Sequence, residues 1–164
     1  MSSKSVYLLE YRLSDIMAAI QVLGASNWQS LKQEHWLEQL GRPQSSSTKS
    51  WNEVFQQHPE FFWLEDREQR ATLRWRFALE KSFDAYAGKL YTAEQKEQLT
   101  DSAIRERLTR RPLSADEIGM LMNTAMELHT RALSLQQESR WWVPIVSSFI
   151  GGILGAVLGV VLKH

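Results

Sequence analysis

Histidine and carboxylate side chains could supply acid–base or metal chemistry in this chain, but their spacing assembles no site. Glu34-His35 lacks the second histidine of a metalloprotease helix, and Glu34 and Glu38, one helical turn apart, are more typical of a solvated face than of a catalytic pair. The four histidines lie in four separate segments: His35, His58, His129 and His164. We therefore predict no catalytic residue, no metal site and no cofactor.

Nucleophile and phosphate-binding motifs are also missing from the sequence. Because the chain has no cysteine, it has no thiol nucleophile, disulfide or iron–sulfur site, and neither a glycine-rich phosphate loop nor a nucleophile elbow occurs. Five tryptophans could line an aromatic ligand cage, although their spacing is more typical of the core of a small domain: Trp28, Trp36, Trp51, Trp63 and Trp75. The sequence thus indicates a protein that is not an enzyme.

The charges are balanced, with 19 Lys and Arg against 19 Asp and Glu. Residues 1–80 carry 9 basic and 10 acidic groups, residues 81–112 carry 7 and 5, and residues 113–164 carry 3 and 4. Phosphate contacts supply much of the affinity for nucleic acid, so a protein that binds it usually shows a clear basic segment. The charge pattern therefore favours a protein partner over nucleic acid.

Residues 1–80 predict a winged-helix-like head, and the fold class is expected to be mainly α with a small β-hairpin. Capping residues, apolar positions at helical spacing and closing glycines or proline indicate three helices. These helices would cover 14–24, 28–41 and 50–58. The pattern then alternates with a period of two over 61–64 and 71–77, which indicates the hairpin. Three short helices before a hairpin is the order of elements in a winged helix.

The third helix and the hairpin would carry the recognition surface of such a head. Its polar and basic candidates are Lys49, Asn52, Gln56, Arg67, Arg70, Arg74 and Arg76. Asn and Gln can read adenine edges, but acidic neighbours, among them Glu53 and Glu65, cancel much of the basic charge that phosphates require. We expect this surface to contact another protein rather than duplex DNA.

A helical connector is predicted over 81–112, followed by a long amphipathic helix over 113–140. Ser114 and Glu117 have the spacing of a capping box at the start of the long helix. Apolar residues then repeat with heptad spacing: Ile118, Leu121, Ala125, Leu128, Ala132 and Leu135. This seam predicts either self-association of the helix or docking of the helix against the head.

The tail, 141–164, is predicted to be a C-terminal transmembrane anchor. Residues 141–162 contain no charged side chain, and twenty residues of helix reach about 30 Å, the thickness of a bilayer's hydrocarbon core. The expected interfacial anchors are Arg140, Trp141, Trp142 and Lys163. Small residues that would let two such helices pack closely recur every four positions: Ser147, Gly151, Gly155 and Gly159. These features predict a single-pass, tail-anchored protein that self-associates in a lipid bilayer.

Several stretches of the chain resemble an uncharacterised family of bacterial proteins. They are Tyr11 to Gly24, Trp51 to Phe62 with its His-Pro-Glu-Phe-Phe motif, Leu73 to Arg76, Leu128 to Leu133, and Arg140 to Trp142. Members of that family pair an N-terminal winged-helix-like domain with a single C-terminal transmembrane helix. The resemblance implies a bacterial inner-membrane location with a cytosolic head, and it implies no activity.

The sequence supports three functional hypotheses. The first is a membrane-anchored scaffold or sensor module whose head binds an unknown protein partner and which forms homo-oligomers through its C-terminal helices. The alternative is a membrane-tethered, DNA-binding transcriptional regulator, and the third is a membrane-perturbing effector. The expected location in each case is the bacterial inner (cytoplasmic) membrane.

Overall fold

The computed structural model describes residues 5–44, 48–65 and 69–138. Within these ranges the chain forms six α-helices, two 3-10 helices and two three-stranded antiparallel sheets. The helices are α1 (Arg12–Ala25), α2 (Gln33–Leu40), α3 (Trp51–Gln57), α4 (Ala93–Glu97), α5 (Ser102–Arg107) and α6 (Ala115–Glu138). The strands are β1 (Ser30–Lys32), β2 (Phe62–Glu65), β3 (Arg70–Leu73), β4 (Lys81–Asp84), β5 (Lys89–Leu90) and β6 (Leu108–Arg110). The 3-10 helices cover Val6–Leu8 and Arg74–Ala78.

The first sheet has the strand order β1-β3-β2, and its two faces differ in chemistry. Because successive side chains of a strand point to opposite faces, the register separates an apolar row from a mixed one. The apolar face packs into the main core and carries Leu31, Phe62, Leu64, Ala71 and Leu73. Ser30, Thr72 and Trp63 are aligned on the opposite face.

Aromatic rings fill the core between the first sheet and helices α2 and α3. The Phe55 ring lies 4.8 Å from the Trp36 ring and 5.1 Å from the Phe62 ring, measured between centroids. The Trp36 indole N–H donates to the Leu31 carbonyl oxygen (3.2 Å), so its polar group is satisfied inside the core. These contacts join both helices to the sheet.

Helix α1 is the central helix of this core. Its residues Ile16, Ile20 and Leu23 recur at helical spacing and are completely buried. Helix α6 packs along α1, and the Leu113 N–H donates to the Gly24 carbonyl oxygen at 2.9 Å. The chain therefore returns, after the second sheet, to cover the first unit.

The second sheet has the strand order β5-β4-β6 and lies in residues 81–110 together with α4 and α5. Helix α4 begins at a capping box, in which the Thr92 hydroxyl accepts from the Gln95 N–H. Helix α4 ends at Glu97, and α5 is followed directly by the strand β6. Residues 81–112 are thus a mixed unit and not the helical connector that was predicted.

Two local differences in the first unit have a common cause. The predicted second helix, 28–41, begins instead with the strand β1, and the predicted strand 71–77 ends at Leu73, where a 3-10 helix begins. Three residues are too short to reveal a period of two, and β1 is a strand because it pairs with β3 across a long sequence separation. Tertiary pairing, rather than local preference, determines both boundaries.

The predicted fold class, mainly α with one hairpin and a transmembrane helix, is contradicted. The structure contains two three-stranded sheets where one hairpin was predicted. Within the described ranges, no helix is long and apolar enough to cross a membrane. The longest helix, α6, has a polar face that includes Asp116, Glu117 and Arg131. This finding also contradicts the predictions of a single-pass, tail-anchored architecture and of an inner-membrane location. The predicted span 141–164 lies outside the described residues, as do its proposed anchors and packing residues: Arg140, Trp141, Trp142, Lys163, Ser147, Gly151, Gly155 and Gly159.

Candidate functional site

The long helix α6 begins at the capping box that the sequence predicts. The Ser114 N–H donates to Glu117 Oε2 (2.7 Å), and the Glu117 N–H donates to Ser114 Oγ (3.2 Å). The Arg111 guanidinium donates to both carboxylate oxygens of Glu117, at 2.7 and 2.8 Å. The hydrogen bonds from Arg111 have the largest effect on Glu117 and, with those of the capping box, lower its pKa to about 2. The Glu117 carboxylate in turn raises the pKa of Arg111. Charge-assisted hydrogen bonds therefore fix the start of α6.

The first half of α6 is docked against α1. Leu121 and Ala125 are buried in the main core, and Ile118 and Leu128 are half-buried against it. The helices approach so closely that a Cβ atom at Gly24 would lie 2.8 Å from Ile118 Cγ1. These four members of the predicted seam therefore serve docking, which is one of the two roles that the sequence left open.

Tyr7, in the first 3-10 helix, links α6 to the segment after α3. His129 Nδ1 lies 2.8 Å from the Tyr7 carbonyl oxygen, while the Tyr7 hydroxyl donates to Glu60, which also contacts His58 Nδ1 at 2.9 Å. Burial, assisted by Glu60, raises the pKa of Tyr7. Burial also acts to raise the pKa of Glu60, but the hydrogen bonds from His58 and Tyr7 hold it below its usual value. Two histidines that are distant in sequence thus meet at one tyrosine.

Beyond His129, α6 continues to Glu138 with exposed apolar side chains. We call Ala132, Leu133 and Leu135 the distal stripe. Leu133 is 40% exposed and Leu135 is 58% exposed, and Ala132 is half-buried. Ala132 and Leu135 continue the heptad spacing of the docked seam. The same apolar pattern is therefore covered in the first half of the helix and open in the second.

The helical part of the predicted recognition surface has little free basic charge. Lys49 and Gln56 are exposed, as expected for recognition residues. The Asn52 amide, however, donates to Gln69, and Glu53 accepts from the Lys49 N–H at 3.0 Å. Helix α3 itself contains no basic residue. This face therefore presents an acidic and two amide side chains next to one lysine.

The arginines of the predicted recognition surface are spread over different environments. Arg70 is half-buried in β3, and exposed Arg74 donates from Nε to the Phe62 carbonyl oxygen at 3.2 Å. Arg67 lies outside the described residues. The described members of the set do not form one basic patch.

Arg76 has a structural position that the sequence does not reveal. Its side chain is completely buried, and burial, followed by the charges of Arg111 and Arg110, lowers its pKa to about 10. The guanidinium donates to four carbonyl oxygens: those of Leu23 (3.0 Å), Ser26 (2.9 Å), Trp28 (2.9 Å) and Arg110 (2.6 Å). Arg76 therefore ties α1 and the loop after it to β6, and it offers nothing to a ligand.

The α2 residues considered for acid–base or metal chemistry lie at the surface. Glu34, His35 and Glu38 are exposed on α2, and His164 lies outside the described residues. Within the part of the chain that the structure describes, no group of three or more His, Cys, Asp or Glu side chains could hold a metal ion.

The five tryptophans separate into a core group and a surface group. Trp36 and Trp51 are buried, whereas Trp28, Trp63 and Trp75 are between 40% and 46% exposed. The position of Trp63 could have been inferred, because it alternates in β2 with Phe62 and Leu64 and must point away from them. Trp28 and Trp75 give no such signal, since neither lies in a strand.

Comparisons with known proteins identify no relative. No family model, no curated protein and no solved structure matches the chain. The resemblance to a bacterial family with a winged-helix-like head therefore stays a prediction.

Proposed function

We propose that the protein is a scaffold module that self-associates through the distal stripe of α6. The observation that supports the proposal is that α6 stays regular to Glu138 although Leu133 and Leu135 are exposed. A short helical segment without packing is only marginally stable in water, because most helical stability in proteins comes from the burial of an apolar face. A second copy of the chain, laid against the distal stripe, would supply that burial.

A second copy is the natural occupant because Ala132 and Leu135 keep the periodicity of helices that pair. Heptad spacing brings apolar residues of two helices into one continuous seam. In a twofold pair the same patch lies on both sides of the interface, so an apolar stripe meets an apolar stripe. The docked half of α6 would then join two heads through one helical junction.

The head would be the part of the scaffold that contacts other proteins. Helix α3 carries Glu53 and no basic residue, and the Asn52 amide is engaged by Gln69. Duplex binding needs several cations placed near phosphates, whereas a protein interface does not. These features favour a protein partner for the head over a DNA duplex.

Cysteine crosslinking tests the self-association directly, because the natural chain contains no cysteine. A single Leu135→Cys or Leu133→Cys substitution in the full-length chain, followed by oxidation or a short bismaleimide in intact cells, should give a product of twice the 19.0 kDa chain mass. Leu37→Cys is the matched control, because Leu37 is 54% exposed on α2 and lies outside the stripe.

The crosslinking pattern separates a specific pair from random collision. Efficient crosslinking at positions 133 and 135, with little at position 37, would support the proposal. Equal crosslinking at all three positions, or none at the stripe, would overturn it. Leu135→Glu should abolish the product of the Leu133→Cys chain, because a charge in an apolar seam is costly to bury.

A further inference from the structure

A cleft opens on the outer face of the first sheet, beside the second sheet. It has a volume of about 360 Å³, and its walls include the rings of Trp28, Trp63 and Phe77. Ser30 and Thr72, aligned across β1 and β3, line it with hydroxyl groups. Ligand sites range from about 300 to 1,000 Å³, so this cleft fits a small planar group rather than a large ligand.

The aromatic rings of the cleft are held edge to face. The Trp63 and Phe77 ring centroids are 5.7 Å apart at an angle of 82°, and those of Trp28 and Tyr86 are 4.9 Å apart at 89°. This geometry fixes each pair of rings while keeping ring surface accessible, since Trp28, Trp63 and Phe77 remain 40% to 46% exposed. Tyr86, 72% exposed, extends the aromatic surface beyond the cleft.

Positive charge accompanies these rings. Arg70 lines the cleft, and its strand neighbours in the register are Lys32 on one side and Glu65 on the other. The Arg110 guanidinium lies 5.4 Å from the centre of the Phe77 ring. Among the described residues that line the cleft, Arg70 and Glu65 face each other, so the Arg110 guanidinium beside Phe77 supplies the additional positive charge, which favours an anionic ligand.

Arg110 is held in place at this position. Its Nε donates to the Leu79 carbonyl oxygen at 2.8 Å, and Nη1 donates to Gln29 Oε1 at 3.1 Å. Because a guanidinium already lies over the Phe77 ring, a cationic ligand would meet repulsion there instead of a free cation–π site. The cleft therefore has a fixed positive group beside an aromatic wall.

We propose that this cleft binds one nucleotide of a single-stranded nucleic acid, with the base stacked on Trp63 and the phosphate near Arg110. Aromatic platforms beside cationic groups are the combination that binds single strands without a duplex groove, because every base offers a flat face and every linkage a negative charge. An acidic peptide would use the cations but would leave the ring faces unstacked. The proposal is independent of self-association through α6.

The test measures the fluorescence anisotropy of labelled single strands of about 12 nucleotides, DNA and RNA, with the purified full-length chain. Trp63→Leu should weaken binding about fivefold to 150-fold, the range for loss of one stacked base. Trp63→Phe keeps a flat ring and should retain most of the affinity. Trp75→Leu is the matched control, because Trp75 is 43% exposed but does not line the cleft.

Competitors and salt distinguish this binding from weaker alternatives. Unlabelled single strand and, at higher concentration, the free mononucleotide should compete, whereas the same sequence as a duplex and polyglutamate should compete poorly. Because one phosphate is contacted, the slope of log K against log salt should be about −0.7. The proposal is overturned if no strand binds saturably, if Trp63→Leu binds as well as the wild type, or if duplex or polyglutamate competes equally.

Discussion

The two sheets of the molecule are stabilised in different ways. The first sheet rests on the main apolar core, whose buried members all come from residues 16–73 and 113–125. The second unit, residues 81–110, adds none of them, and its own buried apolar side chains are Phe83, Ala85 and Leu108. Apolar burial therefore dominates in the first unit, and other interactions must carry more of the second.

Polar links provide those interactions. Asp84, at the end of β4, accepts from the N–H groups of Tyr86 (3.0 Å) and Ala87 (3.2 Å) and from Arg107 Nε (3.0 Å). Burial acts to raise the pKa of Asp84, but these hydrogen bonds lower it overall. These bonds hold the second unit together internally, and the bond from Arg76 to the Arg110 carbonyl oxygen links it to the first unit. Loss of one of these polar contacts should therefore destabilise the second unit locally. A substitution in the apolar core should instead lower the free energy of unfolding of the whole first unit.

The largest effect is expected from Phe55→Ala. The substitution removes the ring between Trp36 and Phe62 and should lower the free energy of unfolding by about 3–5 kcal/mol, because the lost contacts leave a cavity. Urea denaturation, followed by tryptophan fluorescence, measures the change. Phe77→Ala is the matched control, since Phe77 is 40% exposed and should cost much less. Equal losses in the two variants would contradict the view that the first unit depends on its core.

A smaller but more local effect is expected from Arg76→Leu. Four carbonyl oxygens would lose their buried donor, at a cost of about 2–4 kcal/mol. Hydrogen–deuterium exchange should then increase in residues 81–110 before it increases in α1. Arg74→Leu is the control, because Arg74 is exposed and makes one carbonyl contact. Uniform acceleration of exchange in both units would show that Arg76 supports the whole fold and not the link.

The sequence predicts local features better than long-range ones. Helices α1 and α3 and the box at Ser114 are set by residues close together in the chain, and the predictions for them lie within a few residues of the observed elements. Strand β1 and the second sheet depend on partners far away, such as Ser30 with Thr72, and no local pattern marks them. The period of two that was seen over 71–77 holds only as far as Leu73.

The candidate sites show the same limit. The heptad seam is visible in the sequence, but only the structure shows which part of it α1 covers. Conversely, Arg76 was placed on a surface because strand alternation would expose it, whereas the 3-10 helix turns it inward. The cleft joins Trp28, Trp63 and Phe77 from three elements, so its existence depends on pairing that the sequence does not encode locally.

The smallest effect is expected at the capping box, which tests whether polar contacts also matter in the first unit. Ser114→Ala should cost about 1 kcal/mol, because one N–H at the start of α6 loses its acceptor. Denaturation at neutral pH measures this loss. Asp116→Asn is the control, since it changes charge in the same turn without removing either bond of the box.

The pH dependence of the same box gives the sharper result. Folding lowers the pKa of Glu117 from 4.5 to about 2, so the unfolded chain binds its proton first as the pH falls. The stabilising contribution is complete above about pH 5 and is lost as the pH falls towards 2. The stability difference between wild type and Glu117→Gln should therefore shrink over this interval. A difference that stays constant from neutral pH to pH 2 would mean that the Arg111–Glu117 pair does not stabilise α6, and that docking on α1 alone holds this end of the helix.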